Sequence, residues 1–160
     1  MNRKGFTLIE LLAVIILIAI IAVLIIPSVL NSVEKSKEAS YNVLIKNIIT
    51  ASESYYIECE YGDLSDKSKY GEEYACEING SNIETSLGAL ANTGMLKVND
   101  LNEDKNEKIV INPKTNKDIS SCGIIITKNK DDNKKITYTI KGNTTDENCP
   151  YQTDEEYGSE

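Results

Sequence analysis

Histidine and tryptophan are absent from this 160-residue chain. Without imidazole, histidine-based triads and histidine-ligated metal sites are excluded. No G-x-S-x-G elbow, phosphate-binding loop, H-E-x-x-H helix or C-x2-C pair occurs either. Positive charge is scarce, with 17 Lys+Arg against 25 Asp+Glu, a net charge of −8 and an isoelectric point near 4.7. Such a surface repels polyanions, so nucleic acid is not an expected partner. The carboxylates fall in polar, turn-rich segments, which reads as solvated surface. No catalytic residue, cofactor or metal is assigned. The length allows one domain plus an appendage.

What is present is concentrated at one end. Leu11–Ile26 holds sixteen residues without a polar side chain, and Phe6–Leu30 carries a single charge, Glu10. At ~1.5 Å per residue this stretch covers about 37 Å, enough for a bilayer core of about 30 Å. No comparable run follows Asn31. Residues 31–160 hold 15 Lys against 24 Asp+Glu, while Arg3 and Lys4 precede the apolar run. Positive residues stay cytoplasmic, so the carboxyl-terminal part is expected outside.

A cleaved secretory signal has a shorter apolar core and a small-residue cleavage site, neither of which is found here. A plain anchor does not explain two features. Gly5 follows the basic pair directly, and Glu10 sits inside the run, where an unpaired charge costs roughly 2.5–3.5 kcal/mol. Lys4-Gly5-Phe6-Thr7-Leu8-Ile9-Glu10, with the following apolar run and Pro27, resembles the amino terminus of a type IV prepilin. The resemblance covers about residues 3–30. It implies a leader of residues 1–5, removed by a prepilin peptidase between Gly5 and Phe6, and methylation of the new amine on Phe6. It gives Glu10 and Pro27 assembly roles in a polymerisation helix over residues 6–30. It also implies partnership with copies of itself or related pilins and with a pilus assembly platform.

Elementary electrostatics agrees with the role for Glu10. A paired charge is tolerable in hydrocarbon and an unpaired one is not, so this acid favours a register that brings an amine alongside. Pro27 lacks an amide hydrogen and clashes with the carbonyl of Val23, which predicts a kink; the resemblance adds local loss of helix in a filament. Ala13, Ala19 and Ala22 would allow close helix approach.

Beyond the membrane, Val33, Ser36, Ser40, Val43, Leu44, Ile48, Ala51 and Tyr55 recur at helical spacing. They predict one helix from Phe6 to about Glu58, ~80 Å long. Its first half suits lipid or other such helices, and its second half needs a sheet to cover it. Cys59–Asn82 reads as a connecting loop and Ser86–Gly94 as a short helix. Lys108–Asn112, Ile119–Lys128 and Lys134–Lys141 read as strands, the last two as a hairpin. The acidic tail, Tyr151–Glu160, reads as disordered.

Cys59, Cys76, Cys122 and Cys149 all lie in the part placed outside, and an even count in an exported chain reads as two disulfides. Three connectivities are possible; the preferred one joins Cys59 to Cys76 and Cys122 to Cys149. A four-thiolate zinc site is the weaker alternative. Asp100, Asn102, Asp104 and Asn106 alternate as calcium ligands do, but Lys105 and Ile111 stand where glycine and glutamate are expected. Asn79-Gly80-Ser81 and Asn143-Thr144-Thr145 match the glycosylation sequon. Lys128, Lys130, Lys134 and Lys135 form a local basic spot, read as a solvated hairpin tip.

The expected class is therefore α+β: a long amino-terminal helix, transmembrane then amphipathic, on a small antiparallel sheet, as in the pilin fold. The domains are 1–5, 6–30 and 31–160. The expected function is a non-enzymatic structural subunit of a type IV pilus or similar filament, in adhesion, motility or a similar surface role. It would be a single-pass membrane protein before assembly and a cell-surface filament afterwards. A pseudopilin or minor pilin of a secretion or DNA-uptake machine is one alternative; a membrane-anchored binding module that never polymerises is the other.

Overall fold

The computed structural model describes residues 7–64, 66, 74, 76–102, 107–130, 136–143 and 146–151, together with the backbone of 156–158. The chain divides into two compact units, Met1–Ala39 and Ser40–Glu160. Helix α1 runs Leu8–Tyr61, 54 residues, through both. Its composition accounts for its start and its end. Leucine, isoleucine and alanine dominate the first half, and Gly62, the first strong helix breaker beyond Pro27, follows the last turn. Helical backbone continues on both sides of Pro27.

In the first unit every leucine, isoleucine and valine from Leu8 to Leu30 is exposed. In the second unit one face of α1 is buried through Ile48, Ala51, Ser52, Tyr55, Tyr56 and Cys59, with Leu44, Ile45 and Ile49 partly covered. The expected covered face is thus corrected: Val33 and Val43 stay exposed, because the covered face runs from half-buried Tyr41 through Leu44, Ile45 and Ile48. The helix also ends three residues later than its periodicity suggested. Cys59 is part of the covered face rather than the start of a loop.

The sheet is built from β1 (Ile78–Asn79), β2 (Asn82–Ser86), β5 (Gly123–Lys130), β6 (Ile136–Gly142) and β7 (Glu156–Gly158). They lie in the order β1-β2-β5-β6-β7, every neighbouring pair antiparallel. The register aligns Ile83, Ile126 and Ile140 across β2, β5 and β6. All three are fully buried, and each such side chain contributes roughly 1.5–3 kcal/mol relative to exposure. In β5, Ile124 and Ile126 are buried while Ile125 is half-covered on the other face. Helix α2 (Leu87–Asn92) begins where the Ser86 hydroxyl accepts from the amide of Ala89, and ends before Gly94 at φ 85°. Strands β3 (Leu101–Asn102) and β4 (Glu107–Lys108) form a separate small pair.

Four sequence expectations change here. The Cys59–Asn82 loop contains the last turn of α1 and strand β1. The β1–β2 turn is Gly80-Ser81, with Gly80 at φ 65°, a positive dihedral that glycine tolerates and that two-residue hairpins use. The strand expected over Ile119–Lys128 starts only at Gly123, because a turn from Ile119 to Cys122 precedes it. Lys108–Asn112 reduces to the end of β4 and a single bridge between Ile111 and Asp118. The tail is ordered where it is described: Tyr151 is buried, and Glu156–Gly158 adds a strand to β6.

Candidate functional site

The amino-terminal turn of α1 carries the first cluster. Thr7 stands immediately before the helix and Glu10 at its third position. The Thr7 amide and the Thr7 hydroxyl both donate to Glu10 Oε2, at 3.1 and 2.8 Å. The Glu10 amide donates back to Thr7 Oγ1 at 3.3 Å. This is a reciprocal capping box, in which each residue satisfies an amide that helix geometry leaves orphaned. Its signature, Thr-x-x-Glu ahead of an apolar run, is present in the sequence at Thr7-Leu8-Ile9-Glu10. Gly5 and Phe6, the expected cleavage and methylation positions, lie outside the described residues.

Downstream, Ile16, Ala19, Ile20, Val23 and Leu24 line a shallow, almost wholly apolar depression on the helix. Ala13 is exposed and Ala22 half-covered. At Pro27 the helix loses one donor, and just beyond it the Ser32 hydroxyl donates to the carbonyl of Ser28 at 3.0 Å. By length and composition α1 is able to cross a membrane.

The second cluster fastens α1 to the sheet within the Ser40–Glu160 unit. The rings of Tyr56 and Tyr138 meet at 5.3 Å. Lys128, on β5, donates to both carboxylate oxygens of Glu60 at 2.8 and 2.5 Å and lies 5.7 Å from the ring centres of Tyr56 and Tyr61. The Glu60 hydrogen bond raises the Lys128 ammonium above the usual lysine range. Lys128 is therefore committed to the fold; Lys130 is exposed, and Lys134 and Lys135 lie outside the described residues. Tyr151 donates to the carbonyl of Ile45 at 3.1 Å, which ties the chain beyond β6 back to the helix.

Disulfides join Cys59 to Cys76 and Cys122 to Cys149. The Cys122–Cys149 region is further knitted by buried Asn112. Its side-chain amide donates to the carbonyl of Asn148 at 2.9 Å, and its side-chain oxygen accepts from the amide of Lys114. Of the alternating oxygen residues, Asp100 and Asn102 enter backbone pairing with Ile109 and Glu107; Asp104 and Asn106 lie outside the described residues. Among the described residues, no group of three or more acidic or cysteine side chains could hold a metal ion. Asn79 and Asn143 are both exposed.

Comparison with known proteins turns on the amino-terminal segment. The profile of the prokaryotic N-terminal methylation motif matches residues 1–26. Over 57 residues the chain is 39% identical to the type IV wide pilus major component PilA4 of Thermus thermophilus. That stretch is 36% of this chain and 44% of the relative, so the chain matches less than half of that protein's length. No solved structure matches.

Proposed function

We propose that this chain, which belongs to the type IV pilin family, is a structural subunit of a pilus or pilus-like filament, polymerising through the first half of α1. In this reading residues 1–5 are a leader. A prepilin peptidase cuts between Gly5 and Phe6, and the new amine of Phe6 is methylated. Glu10 then meets the amine of an adjoining copy, and Pro27 adjusts the helix as subunits pack. The partners are copies of this chain or related pilins, together with the assembly platform that draws them from the membrane. The chemistry is assembly; the pilin family is structural, not enzymatic.

One observation carries the reading. Seventeen leucine, isoleucine and valine side chains between Leu8 and Leu30 are exposed, on a helix whose next segment is covered by its own sheet. Exposed apolar surface of that extent requires lipid before assembly and other helices after it. Arg3 and Lys4 keep the amino end cytoplasmic, so the chain crosses the membrane once with the Ser40–Glu160 unit outside. Disulfides at Cys59–Cys76 and Cys122–Cys149 suit that oxidising side.

The test is Glu10→Ala in cells that assemble the filament. Mass spectrometry of sheared filaments from the parent should find chains beginning at methylated Phe6. The variant should be anchored and cut as before yet depleted at least tenfold from the sheared fraction. Recovery of E10A in filaments at the parental level would remove the pairing role. A parent found only as membrane-bound single copies would favour the anchored binding module.

A further inference from the structure

The β1–β2 turn carries the one asparagine–glycine pair in the sequence, Asn79-Gly80. Asn79, Gly80 and Ser81 are all exposed, and a Cβ placed on Gly80 would meet nothing within 4 Å. Gly80 has φ 65° while Ser81 stays out of the positive region, the pattern of a type II′ turn with glycine first. The register pairs Asn79 with Asn82, which leaves the Gly80 amide outside the ladder. Among the described residues no backbone hydrogen bond engages that amide. We infer that Asn79 is a self-modification site: the backbone nitrogen of Gly80 attacks its side-chain carbonyl, and water then converts the asparagine to aspartate or isoaspartate. The inference is independent of the filament reading, because the reaction needs only water and hydroxide.

In the first step hydroxide removes the Gly80 amide proton, and the nitrogen forms a bond to Asn79 Cγ. The Cγ–Nδ2 bond breaks, and Nδ2 leaves as ammonia after taking a proton from water, which restores the hydroxide. The product is a five-membered imide spanning both residues. Water opens it in one of two ways. Addition at Cγ breaks the new bond and leaves aspartate. Addition at the Asn79 backbone carbonyl carbon breaks the original peptide bond and leaves isoaspartate, with the chain rerouted through Cγ. Overall one water is consumed and one ammonia released, with no change of oxidation state.

The two sides of the turn are held unequally. The Ser81 carbonyl accepts from the Lys128 amide at 2.8 Å and from the Tyr56 hydroxyl at 3.2 Å, so its β2 side is fixed to β5 and α1. The Asn79 side is a two-residue edge strand paired on one side only, and both its residues are exposed. Such short pairing opens at low free-energy cost. Bringing Cγ onto the Gly80 nitrogen therefore disturbs two register pairs and uncovers no buried side chain of β1. The Cys59–Cys76 bridge confines that opening to the residues between Cys76 and Ser81. Each conversion adds one negative charge to a chain already at −8. Isoaspartate also lengthens the backbone by one carbon, which breaks the register between Asn79 and Asn82.

The test is incubation of the folded full-length protein in detergent at mildly alkaline pH, followed by peptide mapping at each asparagine. The peptide holding Asn79 should gain one mass unit and isoaspartate, with an equal amount of ammonia and a rate that rises with pH. Asn79→Gln, whose longer side chain cannot close a five-membered ring, should lose the shift. Asn47, held in α1, and exposed Asn143, followed by β-branched Thr144, should convert about tenfold more slowly or less. Conversion of Asn79 only after unfolding in urea would show that the hairpin protects it and would overturn the inference. So would no conversion in either state, faster conversion at Asn47 or Asn143, or an undiminished shift in N79Q.

Discussion

Ser52 lies on the covered face of α1, fully buried, and its hydroxyl has no hydrogen-bond partner among the described residues. Other hydroxyls on this helix donate to a carbonyl one turn back, as Thr50 does to Lys46 and Ser54 to Thr50. A buried hydroxyl without a partner is a desolvation cost, so Ser52→Ala should leave stability unchanged or raise it by up to about 1 kcal/mol. Urea denaturation of the two proteins measures this, and a loss above about 1 kcal/mol would contradict it. Tyr55, one turn along, is the opposite case: its hydroxyl donates to the carbonyl of Tyr74 at 3.3 Å. Burial, the largest cause, pushes its phenol above the ordinary value of 10. A folded pKa above the unfolded one means stability is fully present below about pH 10 and is lost as pH rises through the folded value. Denaturation midpoints between pH 8 and 12 should fall in the parent and fall less in Tyr55→Phe, which loses about 1 kcal/mol at neutral pH with the hydrogen bond. Residue roles differ in how well the sequence declares them. Glu10 announces itself as a lone charge in an apolar run, and the Thr-x-x-Glu box is equally readable. Ser52 is not, because only the packed face reveals that its hydroxyl is stranded.

Elements were legible where periodicity runs long. Helix α1 persists for 54 residues, and β5 and β6 carry continuous or alternating isoleucines, so their existence follows from pattern alone. Strand β2 did not, since Asn82-Ile83-Glu84-Thr85-Ser86 buries one large side chain, Ile83. Its strand character comes from pairing with β5 over five positions, a long-range contact with no local signal. Strand β7 is hidden in the same way, by acidic composition around a three-residue pairing with β6. The disulfides compensate for such short elements. Cys122–Cys149 spans 27 residues and Cys59–Cys76 spans 17; closing loops of this size contributes about 3 kcal/mol each by the chain-entropy account. Replacing Cys122 and Cys149 together by serine should lower stability by about that amount. The variant should unfold at lower urea concentration than the parent with the first bridge intact. A midpoint unchanged by the double substitution would mean that the buried Asn112 contacts hold the region without the bond.

At the scale of the whole molecule the governing quantity is charge asymmetry about one apolar span. Arg3 and Lys4 stand on its amino side, while residues 31–160 carry 24 acidic residues against 15 lysines. Acidic residues contribute little to orientation, so in the single-span topology proposed above Arg3 and Lys4 are weighed against Lys35 and Lys37, which follow the span. Replacement of the two leading cations, Arg3→Glu with Lys4→Glu, leaves the span, the Ser40–Glu160 unit and both disulfide pairs untouched. If those cations set the orientation, protease added outside intact cells should digest the globular unit of the parent and spare a large share of the variant. The spared molecules should also hold reduced cysteines, because a unit retained in the cytoplasm meets a reducing environment. Thiol labelling therefore provides a second reading of the same event, independent of protease access. A variant fully digested from outside and fully disulfide-bonded would show that the apolar span and the exported unit determine direction without the basic pair.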